Sequence, residues 1–150
     1  MDYKKIIVWV IAIVLVIQIG YYFLFKNIID LEKTNIKINQ QIYSLWIADN
    51  DEERFQGLQN IEKLKNNQGM IFNFNESQNI SFWNKNTFVN LAILWVDRNV
   101  IVGIDRLPQQ SSDEIISVSS PQKIDQVIEL NQNQIELNQV KVGDKITILK

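Results

Sequence analysis

The chain of 150 residues has no histidine and no cysteine. These absences exclude Ser-His-Asp and Cys-His nucleophilic catalysis. They remove the ligands on which zinc sites ordinarily depend, and they rule out disulfides and redox-active thiols. Acid–base chemistry would fall to Asp, Glu, Lys or Tyr, so paired-carboxylate or lysine chemistry stays open without any positive sign of either. No cofactor and no metal are implied. Glycine and proline are scarce, at five and two residues, which argues against a low-complexity tail. An excess of positive charge is also missing. Without Asp2, Lys4, Lys5 and Lys26 the chain holds 12 basic and 16 acidic residues, with no basic stripe, so nucleic acid is not an expected partner.

Charge is absent altogether from Ile6 to Phe25, IIVWVIAIVLVIQIGYYFLF, where Gln18 is the one strongly polar side chain. A helix rising about 1.5 Å per residue would carry this run across roughly 30 Å, the hydrocarbon thickness of a bilayer. A soluble core helix would keep a polar face. A cleaved signal would end in small residues, whereas this run continues through Tyr21, Tyr22, Phe23, Leu24 and Phe25. A lipoprotein would need a cysteine after the run. The expected reading is an uncleaved single-pass anchor, with Trp9 at one interface and Tyr21 and Tyr22 at the other. Lys4 and Lys5 precede the run and Lys26, Lys33 and Lys37 follow it. The basic charge nearest the helix favours a cytoplasmic N-terminus and an extracytoplasmic C-terminal domain at the cell membrane. The organisation expected is an N-terminal tail (1–5), a transmembrane helix (6–25), a linker (26–34) and one domain (35–150).

That domain reads as mainly β. Strands are predicted at Asn35–Ile38, Gln41–Ala48, Gly69–Phe74, Ile80–Trp83, Val89–Val96, Val100–Leu107, Lys123–Leu130 and Lys145–Leu149 from their apolar alternation and bounding turns. Asn39-Gln40, Asn75–Asn79, Asp97-Arg98-Asn99 and Val142-Gly143-Asp144 read as turns, and Pro108–Glu114 as a polar loop. Asp49–Gly57 reads as a helix: Asp49 or Asn50 can cap it, Asp51, Glu52 and Glu53 suit its first turn, and Gly57 can stop it. Phe55 and Leu58 are expected to face the core. A second short helix is expected within Asn131–Asn138, with Ile135 buried. Many short strands with one or two short helices predict a small β-sandwich or barrel-like domain.

A set of motifs then points to a family. Glu53-Arg54, Gly57-Leu58, Gly69-Met70-Ile71-Phe72-Asn73-Phe74, Phe82-Trp83-Asn84-Lys85-Asn86-Thr87, Leu91 and Lys141-Val142-Gly143-Asp144-Lys145 occur in an order and spacing that resembles the bacterial and archaeal "domain of unknown function 192" family, from about Ile36 to Leu149. The resemblance implies a compact, mainly β fold of sandwich type, often preceded by a signal or anchor, and no established activity. The chain departs from the family pattern. Where the family reads G-L-M-x-R, this sequence has Gly57-Leu58-Gln59-Asn60-Ile61. Where the family has P-L-D after F-W-M-K-N-T, Asn90 and Ala92 replace the proline and aspartate, and Asn84 replaces the methionine. A family site built on that arginine and aspartate would lack both charges here.

Lys85-Asn86-Thr87, preceded by Trp83, is the leading candidate site. A small polar ligand or carbohydrate could stack on the indole and hydrogen-bond to Lys85 and Asn86. The competing structural reading is a connecting loop whose side chains satisfy turn backbone. Arg54 could clamp an anion, or pair with a nearby acid and pack its stem. Asp97, Asp105 and Asp144 lie near turns without the oxygen density of a calcium site. Ser117, Ser119 and Ser120 form a polar stretch in which nothing places a lysine base beside a serine. These residues predict a non-catalytic binding or interaction module centred on Trp83, Lys85, Asn86 and Thr87, with Arg54 nearby. Its partners would be the bilayer, through residues 6–25, and a ligand or envelope protein of unknown identity. The alternatives are a hydrolase or lyase in which Lys85 works with an acid such as Asp105 or Glu129, and a structural subunit of an envelope complex.

Overall fold

The computed structural model describes residues 3–29 and 31–149. The chain divides into two compact units, Met1–Leu31 and Glu32–Lys150. The first contains helix α1, Tyr3–Ile29. It includes the whole charge-free run, and its side chains from Ile6 to Ile19 are exposed. Among the described residues no helix is long and apolar enough to cross a membrane; the side chains described in α1 end at Gly20. The side chains of Tyr21 and Tyr22, expected at an interface, lie outside the described residues.

The second unit follows the order β1 (Lys33–Ile38), β2 (Gln41–Ala48), α2 (Asp51–Gln56), β3 (Gln68–Gln78), β4 (Ser81–Trp83), β5 (Leu91–Asp97), β6 (Val100–Leu107), β7 (Ser117–Ser119), β8 (Ile124–Asn131), α3 (Asn133–Leu137) and β9 (Ile146–Leu149). Seven strands form one sheet in the order β6-β5-β8-β3-β2-β1-β9, and β4 pairs with β7 in a separate ribbon. Neighbours in the large sheet are antiparallel except β2 and β3. The sheet curls until its edges approach: Val100 bridges Lys145, and the Ile146 amide donates to Asn99 O at 2.9 Å. The domain is therefore mainly β, a curled seven-stranded half-barrel with few short helices.

Local sequence accounts for several of these elements. The Asn50 side chain accepts from the Glu53 amide at 3.0 Å, and the Glu53 carboxylate accepts from the Asp49 amide at 3.1 Å. This reciprocal cap starts α2. Gly57, at φ 48°, closes it by donating to Glu53 O, a left-handed position suited to glycine. Arg98 and Asn99 both have positive φ, 48° and 63°, the geometry of the tight two-residue turn joining β5 to β6. Gly69 lets β3 approach β8 closely, because a Cβ there would collide with the Glu129 carbonyl.

Three expectations need correction. Asn75–Asn79 is not a turn: β3 runs on to Gln78, and its pairing with β8 resumes at Gln78–Ile124 after a register shift. These residues are polar and mostly exposed, so they carry no apolar alternation to mark the strand. Ser117–Ser119 is a strand, hidden from sequence by its length of three residues. Phe55 does not face the core; it is 64 % exposed, whereas Leu58 is buried as expected.

Alternation along the strands gives the sheet two buried faces. Tyr43, Leu45, Ile71, Ala92, Leu94, Val96, Ile128 and Leu130 line the inner face, joined by Ile36, Ile38, Ile101 and Ile146. Burying each such aliphatic side chain stabilises the fold by roughly 1.5–3 kcal/mol. The residues between them point the other way. Phe72 and Trp95 both stand opposite Val127, and Met70 and Ile93 both stand opposite Glu129. Phe82 of the small ribbon covers this outer face, meeting Phe72 edge-on at 4.7 Å and Trp95 at 5.9 Å between ring centroids.

Candidate functional site

Beside α2 and β4 the outer face opens into a cleft of about 270 Å³, bordered by Arg54, Phe55, Phe74, Ser81, Phe82 and Trp83. Phe55 and Trp83 are exposed at 64 % and 46 %, with ring centroids 6.1 Å apart in an edge-to-face arrangement. Two large aromatic surfaces left open at one cleft are a common means of holding a small ligand with an apolar face. The Arg54 side chain is mostly buried and committed to structure. Its Nη1 donates to Asn73 O at 2.8 Å and its Nη2 to Asp51 Oδ1 at 2.7 Å, and the guanidinium lies 5.3 Å from the Phe74 ring centroid. It fixes α2 to β3 and forms one wall of the cleft.

A narrower void of about 30 Å³ adjoins this cleft and shares Arg54, Phe55, Phe82 and Trp83 with it. Phe72, Thr87, Glu129 and the segment from Gln56 to Gln59 also line it. Glu129 is 4 % exposed, and its Oε2 has no hydrogen-bond partner. Burial pushes the carboxyl up to about 8, because the charged form would lose its hydration without an opposite charge to replace it. Of the side chains lining the void, Arg54 is the other charged group, and its Nη1 and Nη2 are bonded to Asn73 O and Asp51 Oδ1.

The predicted site residues separate. Trp83 and Arg54 line the cleft, and Thr87 lines the void beneath it. Asn86 belongs to the turn framework. It has φ 53°, its amide donates to Gln110 Oε1 at 2.7 Å, and its Nδ2 donates to Gln59 Oε1 at 3.3 Å. Lys85 is exposed, lines neither space, and makes no ion pair among the described residues. Asp105 accepts from Trp95 Nε1 at 2.6 Å, and Glu129 sits in the void. The structure therefore does not bring Lys85 together with either acid. Asn84, which replaces a methionine of the family pattern, is buried and ties two loops: its Nδ2 donates to Pro108 O at 3.1 Å and its Oδ1 accepts from the Ile116 amide at 2.8 Å.

Ser81 and Ser119 hydroxyls pair at 2.8 Å across the ribbon, and Ser120 Oγ accepts from the Ile80 amide at 3.1 Å, so those serines tie β4 to β7. Asp144 accepts from Asn39 Nδ2 and from the Lys141 amide, each at 3.0 Å, and stabilises a turn. Glu129 carried a readable signal. It stands in a strand with Ile124, Val127, Ile128 and Leu130 on both faces, so its side chain had to be buried. The exposure of Phe55 left no such trace, because a six-residue helix leaves its buried face undetermined.

Among curated proteins none matches the chain. Two solved structures share the fold. One is a proposed transcription regulator from Sinorhizobium meliloti 1021, 24% identical, with a TM-score of 0.72 over 79% of this chain and 95% of that one. The other is a protein of unknown function from Novosphingobium aromaticivorans DSM 12444, 23% identical, with a TM-score of 0.71 over 78% and 86%. The first consists almost entirely of the matched region. The DUF192 family, described as an uncharacterized ACR, matches residues 33–148. The chain belongs to the DUF192 family, whose function is unknown.

Proposed function

We propose that the chain is a membrane-tethered binding module whose ligand lies in the aromatic cleft beside α2. The observation that carries this reading is the pair of exposed rings, Phe55 and Trp83, at the mouth of a cleft of about 270 Å³. A sugar ring or another small molecule with one apolar face would stack there, with the Ser81 hydroxyl as its polar contact. Trp83 and Arg54 remain in the site as ligand contact and wall. Lys85 and Asn86 move to its periphery, as part of the loop that positions Thr87. No catalytic step is assigned to the cleft.

Tethering is supported by α1. Its 27 residues correspond to about 40 Å of helix, and its exposed apolar side chains would need lipid or a partner to cover them. The domain would stand outside the cytoplasm, with the basic N-terminal flank inside. The test uses the folded unit Glu32–Lys150. Cell-wall oligosaccharides titrated into it should shift the Trp83 indole resonance, and Trp83→Ala should abolish the remaining shifts around the cleft. Shifts that cluster elsewhere, or that survive in Trp83→Ala, would sink this site. Separately, the full chain should stay with membranes after an alkaline carbonate wash, and its release would refute the anchor.

A further inference from the structure

The void beneath the cleft has features that a stacking site alone does not need. It is roughly large enough for one water-sized group, given the ~10–15 Å³ such a group requires. Aromatic rings from Phe55, Phe72, Phe82 and Trp83 form part of its wall, and the segment from Gln56 to Gln59 forms another. At its end is a carboxyl that is almost wholly buried and lacks a hydrogen-bond partner at Oε2. The charged neighbour, Arg54, is already paired. A buried acid beside aromatic side chains, whose charged neighbour is already paired, is a site that an entering cation would complete.

We infer that the void is an ammonium pocket: a ligand in the aromatic cleft inserts a primary amine between the rings, and its N–H groups donate to the Glu129 carboxylate. This rests on the reading of the cleft as the ligand site and specifies the ligand class, an amine-bearing small molecule such as an amino sugar or a lysine-like side chain. Both halves of the pocket favour the same charge. A cation seated over the face of an aromatic ring gains from its quadrupole, and the carboxylate accepts charge-assisted hydrogen bonds. Size sets the selectivity: an –NH3+ group fits the space of one water, and a trimethylammonium head does not.

The pocket also couples binding to a proton. Free Glu129 holds a proton up to about pH 8, and an ammonium beside it favours the ionised form, so binding at neutral pH expels that proton. Among the groups lining the void, only Arg54 also carries charge, and it stays protonated throughout.

The experiment is a carbon-13 NMR titration of the Glu32–Lys150 unit, with glutamate labelled at the carboxyl, against n-butylammonium at pH 7. Tetramethylammonium and 1-pentanol serve as controls. n-Butylammonium should move the Glu129 carboxyl signal to its ionised position and shift the Trp83 indole. Its affinity should fall about tenfold or more in Glu129→Gln, as expected for losing hydrogen bonds to a charged group. Tetramethylammonium should leave the Glu129 signal unmoved. Equal affinity of n-butylammonium for native and Glu129→Gln proteins would overturn the ammonium pocket. So would an unmoved Glu129 signal while oligosaccharides still shift Trp83, and in that case the cleft would stand as the ligand site. Silence at Trp83 with every probe would overturn both. The native titration reports on the pocket even if Glu129→Gln folds poorly.

Discussion

On the inner face of the sheet the Tyr43 hydroxyl is buried, and Asn138 Nδ2 donates to it at 3.0 Å. On the outer face the Glu129 carboxyl is buried as deeply, and its Oε2 meets nothing. The two faces belong to the same strands, separated by one residue of alternation, and each has a polar group in its interior. The inner face is filled by aliphatic residues from seven strands and leaves its one tyrosine tip satisfied. The outer face is covered by a six-residue helix, a two-stranded ribbon and a loop, and this thinner layer leaves a cleft, a void and an acid without a partner. Buried unpaired polar groups are costly, and each side of β8 holds one: Glu129 Oε2 on the outer face, and Gln126 Oε1 opposite Val96 on the inner side. What sets the outer face apart is that its acid lines an open space.

The largest expected effect tests the inner face. Leu94→Ala should destabilise the domain by about 3–5 kcal/mol in urea denaturation, without altering the cleft's ligand affinity. A loss below about 1 kcal/mol would show that the inner core is not close-packed. Next comes the acid on the outer face. Folded, Glu129 keeps its proton to about pH 8, against an ordinary value of 4.5. The fold therefore binds more protons than the unfolded chain between those values. The stability Glu129 allows is complete below about pH 4.5 and declines as pH rises to about 8, by on the order of 3 kcal/mol. Thermal melts at pH 5 and pH 8 should show this decline in the native domain and not in Glu129→Gln; parallel curves would place the acid in water.

Asn84→Ala should cost about 2 kcal/mol by stranding the Ile116 amide and the Pro108 carbonyl, and should also weaken ligand binding by loosening the loop that carries Thr87. A stability loss without any change in binding would separate that loop from the site. The smallest expected change in stability is Trp83→Ala, at about 1 kcal/mol or less for a half-exposed ring, though its loss of affinity should be the greatest of the four.

The strands were readable because they alternate and end in recognisable turns: Gln41–Ala48 and Val100–Leu107 coincide with the predicted spans. The cap at Asn50 and the stop at Gly57 follow from local chemistry alone. The far end of β3 was not readable, because residues that pair through their backbone in solvent need no hydrophobic pattern. The site was half legible. Trp83, Arg54 and Thr87 reach the cleft or the void through pairings with Ser117, Asn73 and Gln110, residues too distant in sequence for a local pattern to encode. Lys85 was conspicuous as a charge between aromatic and polar residues, yet a turn with Asn86 at positive φ leaves it pointing into solvent. Glu129 was the reverse, named only as a possible acid partner of Lys85, yet it is the acid that the sheet order buries.

That order also bears on how the protein is made. The strands β1, β2 and β3 on one side and β5 and β6 on the other are not hydrogen-bonded to each other; β8, Ile124–Asn131, is inserted between β3 and β5. Nearly the whole domain must leave the ribosome before its central strand exists. Until then neither half can close, and the sheet waits on a strand that emerges near the end of synthesis.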